Sequence, residues 1–179
     1  DETDADKRGT AELLEQYKAL AAKPGLSVRK DGDAEKAIAG AKTVIDAEFV
    51  FPFLAHAPME PLNAILAFKD NKATIWSGSQ LQTIDQSVAA AILGIKPEDV
   101  AINTQWAGGS FGRRAVYNSD YIAEVAHIVK ALATDKPIKL VWTREDDIKG
   151  GYYRPMYVHK VKVGLTESGD IAGWHHRIV

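Results

Sequence analysis

Apolar residues recur along this chain in two periods, and the periods divide it into elements. From Lys42 to Phe51 the side chains alternate: Thr43, Ile45, Ala47, Phe49 and Phe51 fall on one side, Asp46 and Glu48 on the other. A period of two marks a strand with one buried face. Helical spacing appears over Thr10 to Ala22, where Leu13, Leu14, Tyr17, Leu20 and Ala21 share a face before Lys23-Pro24-Gly25 stops the helix. Asp31-Gly32-Asp33 reads as a turn and cap for a short Ala-rich helix ending near Ala39. A third helix fits Leu81 to Leu93, with Leu81, Ile84, Val88 and Ile92 on one face, Gly94 just past its end and Pro97 beyond. A fourth runs from about Asn118 to Ala133 on Tyr121, Ile122, Val125, Ile128, Val129 and Leu132.

The strand-like runs pair locally. Asn63 to Lys69 and Ala73 to Ser77 form a hairpin across Asp70-Asn71, and Tyr157 to Leu165 and Ile171 to Val179 form another around Glu167-Ser168-Gly169-Asp170. Val100 to Thr104 and Ile138 to Thr143 are single strands. The pattern predicts an α/β chain of the α+β type: mixed sheets with two hairpins and three to four packed helices. One segment fits neither period. Phe51 to Pro61 carries three prolines, so it is neither a regular helix nor a central strand. Its apolar character, with one His and one Glu, predicts a stiff and buried loop.

Composition narrows the classes. At 179 residues the chain suits a single domain over 1–179, with 1–9 frayed. A net charge of −2 argues against general binding to nucleic acid or anionic membranes, and no apolar run reaches the length of a membrane span. There is no cysteine, so the chain itself holds no disulfide, iron–sulfur cluster or Cys-ligated zinc. No export signal is visible. The sequence stops within a predicted strand, and the expectation is a piece of a larger polypeptide.

The densest candidate chemistry is Gly108-Gly109-Ser110-Phe111-Gly112-Arg113-Arg114, between a strand and a helix. Glycines allow φ > 0 and bring bare N–H groups close to a ligand, and such groups form nests for oxyanions. The two arginines offer forked donors. By itself the loop is nonspecific, and it matches neither the P-loop nor the dinucleotide fingerprint. Other candidates favour plain readings. His175 and His176 point to opposite faces of a strand and cannot share a metal. His127 with Glu124 reads as a solvated helical pair. Arg144-Glu145-Asp146-Asp147 reads as a solvated strand end, and His56 as a core histidine more than a catalytic one. No protein-ligated metal motif is present.

Five ordered segments carry a resemblance: Leu54-Ala55-His56-Ala57-Pro58-Met59-Glu60-Pro61-Leu62-Asn63, Trp76-Ser77-Gly78-Ser79-Gln80, the glycine loop, Trp142-Thr143-Arg144-Glu145-Asp146-Asp147 and Tyr153-Arg154-Pro155. Together they resemble the molybdopterin-binding large subunit of the xanthine dehydrogenase and aldehyde oxidase family, nearest the isoquinoline 1-oxidoreductase β-subunit branch. The resemblance implies an oxidoreductase that hydroxylates an aldehyde or N-heteroaromatic substrate with oxygen from water. It implies molybdenum held by molybdopterin, in the cytosine dinucleotide form, and iron–sulfur clusters on a separate small subunit. It assigns cofactor binding to Gly108, Gly109, Ser110, Phe111, Gly112 and Arg113, and a substrate-side position to Arg144. Leu54 and Ala115 replace polar residues of the xanthine dehydrogenase pattern, which points away from purines. The family's general base is a glutamate from a C-terminal region, and nothing after Pro155 matches it. The resemblance therefore implies a fragment inactive alone, and it makes the periplasm a plausible compartment. A stand-alone binding or subunit-interaction domain of the same fold, and an unrelated phosphate-binding domain, remain as alternatives.

Overall fold

In the computed structural model, residues 7–179 are described. They fall into two compact units, residues 7–54 with Pro155–Val179, and Ala55–Arg154. The sequence periods do not reveal that the first unit is built from both ends of the chain. Of the expected frayed segment, residues 1–6 lie outside the described residues. Residues 7–9 lead into the first helix, where the Gly9 N–H donates to Glu12 Oε2 at 2.9 Å.

The first unit holds helices α1 (Thr10–Ala21) and α2 (Ala34–Ala39) and strands β1 (Thr43–Phe51), β6 (Tyr157–Leu165) and β7 (Ile171–Ile178). Asp33 caps α2 as expected, its Oδ1 accepting the Lys36 N–H at 3.0 Å. The sheet order is β1-β6-β7, antiparallel throughout, so the second predicted hairpin is present and β1 is an edge. Gly164 pairs with Gly173 across β6 and β7, and α2 lies directly on this pair. A Cβ at Gly164 would stand 2.9 Å from Ile38 Cα, and one at Gly173 would stand 3.0 Å from the Ala34 carbonyl oxygen, so only glycine admits the helix this close. The helix-bearing face also carries Asp46, Glu48, Lys160, Lys162, His175 and Arg177, which face one another across the register. The alternating apolar face of β1 is on the other side. Its burial was the expectation, yet Ile45, Phe49 and Phe51 are all exposed. The two helices of this unit pack on the charged face and leave the apolar face bare.

The second unit is a four-stranded sheet, order β4-β3-β2-β5, from β2 (Asn63–Lys69), β3 (Lys72–Ser77), β4 (Val100–Thr104) and β5 (Ile138–Val141). The β2–β3 hairpin turns on Asp70 and Asn71, both at positive φ. Helix α3 (Gln82–Leu93) carries the chain over to β4, which lies parallel to β3. Helix α4 (Asp120–Leu132) precedes β5, and a short α5 (Arg144–Lys149) follows it. That last helix corrects the reading of Arg144–Asp147 as a strand end: Thr143 Oγ1 accepts the Asp146 N–H at 3.2 Å and starts a turn.

Ala64, Leu66, Ala73 and Ile75 from the sheet, with Leu62 just before β2, pack with Ala89, Ala90 and Leu93 of α3 and Tyr121, Ile122, Val125, Ala126 and Val129 of α4. Each fully buried Leu, Ile or Val here contributes about 1.5–3 kcal/mol by leaving water. The inward face of α3 is not the predicted one. Ala89, Ala90, Leu93 and Asp85 point in, while Ile84, Val88 and Ile92 flank them half-buried. Small residues let α3 pack closely with α4, and that close packing outweighs the larger apolar stripe. The Asp85 carboxyl is 1% exposed and accepts the Ser79 hydroxyl at 2.5 Å. Burial pushes its pKa up, against the pull of its hydrogen bonds. On α4, Leu132 is exposed rather than buried. Glu124 does not rely on His127: its Oε2 accepts the Trp142 Nε1–H at 2.7 Å.

Candidate functional site

Strand β4 delivers the chain to the glycine loop. Pairing runs one residue past the strand, the Gln105 N–H donating to the Ser77 carbonyl at 2.9 Å. The backbone then folds on itself with Gly109 at φ 98°, Phe111 at φ 56° and Gly112 at φ 96°. Three positive-φ residues within four positions fold the loop tightly, the kind of turn in which neighbouring N–H groups can form an anion nest. Among the described residues, no acceptor meets the N–H groups of Gly109, Ser110, Phe111 or Gly112. Those on either side are engaged: Gly108 N–H donates to Glu60 Oε2 at 2.5 Å, and Arg113 N–H to the Ser110 carbonyl at 3.0 Å. Four adjacent free donors are a site for an anionic or strongly polar group. The Phe111 side chain is 77% exposed, and Trp106 is wholly exposed.

The proline-rich segment grips the loop. Glu60 N–H donates to the Gly108 carbonyl at 3.2 Å while the Glu60 carboxylate takes the Gly108 N–H, a reciprocal clamp. Glu60 Oε1 also accepts from Asn63 Nδ2 at 2.5 Å. The Asn63 hydrogen bond, then that of Gly108, holds the Glu60 carboxyl below the usual carboxylate range. A Cβ on Gly108 would stand 2.7 Å from Glu60 Cβ, so glycine is needed there for close approach. Ser110 Oγ donates to Gln80 Oε1 at 2.5 Å and accepts the Arg114 N–H at 3.1 Å, fastening the loop to the Trp76–Gln80 motif. Glu60, Asn63, Ile65, Trp76, Trp106 and Lys139 line an open cleft of about 420 Å³ along this edge.

Both arginines of the loop are buried. Arg113 is 2% exposed. Its guanidinium meets Asp120 at 2.7 Å and 3.3 Å and lies 5.5 Å from the Trp142 ring centre. Gly151, at φ 73°, closes over it; a Cβ there would be 2.1 Å from Arg113 Nη2. Arg114 is 1% exposed, with its Nε toward the Gly109 carbonyl and its Nη2 toward the Glu60 carbonyl, both at 3.4 Å. Both side chains brace the loop, while Arg113 Nε and Arg114 Nη1 remain buried without a hydrogen-bond partner. Arg144 likewise braces: Nη2 donates to the Pro58 and Met59 carbonyls and Nη1 to Asp147 at 2.7 Å.

His56 is half-buried. Burial, and then the charge of Arg113, lowers its pKa. Glu60, Asn63 and Asp120 organise this site, and the sequence assigned none of them a role. Their only signal was the Glu in an otherwise apolar proline loop. Among the described residues no group of three His, Cys, Asp or Glu side chains could hold a metal, and no helix is long and apolar enough to cross a membrane.

Known proteins resemble this chain in sequence and fold. Isoquinoline 1-oxidoreductase subunit beta of Brevundimonas diminuta is 38% identical over 113 residues, covering 63% of this chain and 14% of that protein. The membrane-bound aldehyde dehydrogenase (pyrroloquinoline-quinone) of Gluconacetobacter polyoxogenes is 32% identical over 158 residues, 84% of this chain and 20% of that protein. The crystal structure of quinoline 2-oxidoreductase from Pseudomonas putida 86 superposes with a TM-score of 0.62 at 14% identity, over 82% of this chain and 18% of that one, which establishes the shared fold. The chain thus spans about a fifth or less of these relatives. Residues 18–179 match the molybdopterin cofactor-binding domain, and the chain belongs to that family.

Proposed function

We propose that this chain is the part of a molybdenum hydroxylase large subunit that lays the glycine loop against the cofactor. The observation that carries this is the row of free N–H groups from Gly109 to Gly112, held open by Glu60 and braced by buried arginines. Such donors fit an anionic pterin–molybdenum group without any protein ligand to the metal. When bound, that group supplies the redox chemistry of carbon hydroxylation with water as the oxygen source. The protein binds it, orients it and shapes the space in front of it. Gly108 carries the clamp, Gly109, Ser110, Phe111 and Gly112 present the donors, and the Phe111 ring walls the pocket. Arg113 serves through its buried pair with Asp120. Arg144 fixes the Pro58–Met59 backbone, and through that loop it shapes the substrate side.

The substrate class is an aldehyde or N-heteroaromatic ring, in keeping with the names of the relatives. Electrons leave through iron–sulfur clusters on a separate small subunit; these 179 residues contain no cysteine to hold them. The cofactor form is the cytosine dinucleotide. The general base lies outside these 179 residues, so the isolated chain is inactive.

The test uses the longer polypeptide that contains this segment. Molybdenum by mass spectrometry and extracted pterin by fluorescence are expected in the purified protein. Gly112→Val, which forces a branched side chain into φ 96° where space is open, is expected to strip both. A purified protein carrying neither, or a quinone in their place, overturns the reading. Retention in the variant overturns the role of the loop, and turnover by the 179-residue chain overturns its inactivity.

A further inference from the structure

The bare face of the β1-β6-β7 sheet has a composition that a solvated face does not have. The register places Thr43, Ile45, Ala47, Phe49 and Phe51 of β1 beside Tyr157, His159, Val161, Val163 and Leu165 of β6, and the latter beside Trp174, His176 and Ile178 of β7. No lysine, arginine, aspartate or glutamate occurs in this set. Phe49 is 51% exposed, Trp174 52% and Ile178 57%. The aromatic rings form one connected cluster: Phe51 meets His159 edge-on at 5.1 Å, and Trp174 meets His176 at 6.4 Å. His159 Nδ1 and His176 Nε2 share a hydrogen bond at 2.9 Å at its centre. All the charge of the sheet is on the opposite face, where α1 and α2 pack. A contiguous apolar patch of this kind marks an interface.

We propose that this face docks an apolar, uncharged surface from a further part of the longer polypeptide, covering it in cis. The relatives decide the occupant. This chain covers 14% and 20% of their length, so roughly four-fifths of such a polypeptide is available to fold against it. The alternation in β1 is that of a strand buried on this side, and α1 and α2 do not bury it. A partner bringing charges to this face would leave them desolvated and unpaired. The inference is independent of the cofactor, because every residue in it belongs to the first unit.

Oxidative footprinting read by mass spectrometry tests it on the unsubstituted protein. In the 179-residue chain, Phe49, Tyr157 and Trp174 should be modified readily, with exposed Trp106 as the upper reference and buried Tyr121 as the lower. In the longer polypeptide all three should fall to the level of Tyr121. Phe49→Lys with Trp174→Lys should leave the circular dichroism of the short chain unchanged and should restore modification of Tyr157 in the long one. Equal modification in both lengths overturns the proposal. Protection already present in the short chain also overturns it, pointing to a second copy if the chain is a discrete dimer. A reading frame that ends at Val179 overturns it too. Loss of cofactor with intact protection would count against the cofactor reading alone.

Discussion

Glu60→Gln separates the clamp from everything around it. The carboxylate uses one oxygen for the Gly108 N–H at 2.5 Å and the other for Asn63 Nδ2 at 2.5 Å. A carboxamide has a single acceptor, so one of the two donors must face an NH2 group. A hydrogen bond to a charged group contributes roughly 1.5–3 kcal/mol. The Glu60 side chain is 37% exposed, so water competes for the freed donor and the expected loss is about 1–2 kcal/mol. The sign with pH follows from the depressed pKa of the folded state. Stabilisation is fully present above the unfolded value of 4.5 and is lost as the pH falls through the lower folded value. Urea unfolding of the wild type and the variant should differ by that amount at pH 7, and the difference should close in acid below the ordinary carboxylate range. The Gly108 amide proton should titrate with Glu60 in the wild type and become silent in the variant. A variant as stable as the wild type at pH 7, or a gap that persists unchanged into acid, would falsify the clamp.

Three more outcomes follow from buried groups. Gly151→Ala places a methyl 2.1 Å from the Arg113 guanidinium at φ 73°, and splitting a buried ion pair costs about 3–5 kcal/mol, so thermal unfolding of the second unit should move sharply downward. Asp85→Asn removes a carboxyl whose pKa burial raises. A raised folded value means the charged form destabilises as pH climbs past the unfolded value of 3.8, so the variant should gain on the wild type as pH rises above that value in urea unfolding. His56 should titrate below 6.5 by NMR. Because the fold disfavours its protonated form, acidification through that range costs stability that a His56→Gln variant should not lose.

The sequence by itself determined the elements and their local partners. Period two and period 3.6 located the strands and the three longer helices, and two short turns set both hairpins. Ordered motifs determined the family, because backbone-bound chemistry requires glycine at fixed places and a linear pattern can display that. Tertiary structure decided what each exposed or buried surface does. Arg113 and Arg114 look like ligand donors in one dimension. Asp120, Trp142 and Glu60, remote in sequence or on another element, turn them into braces. Glu60 looks like an isolated charge in an apolar loop until the fold brings Gly108 to it across 48 positions. The inward face of α3 was fixed by how closely α4 could approach, a distance no single helix encodes. The alternation in β1 predicted a buried face, and within the described residues that face is exposed. Which face is covered depends on long-range packing, and within the described residues the helices satisfy the other side of the sheet.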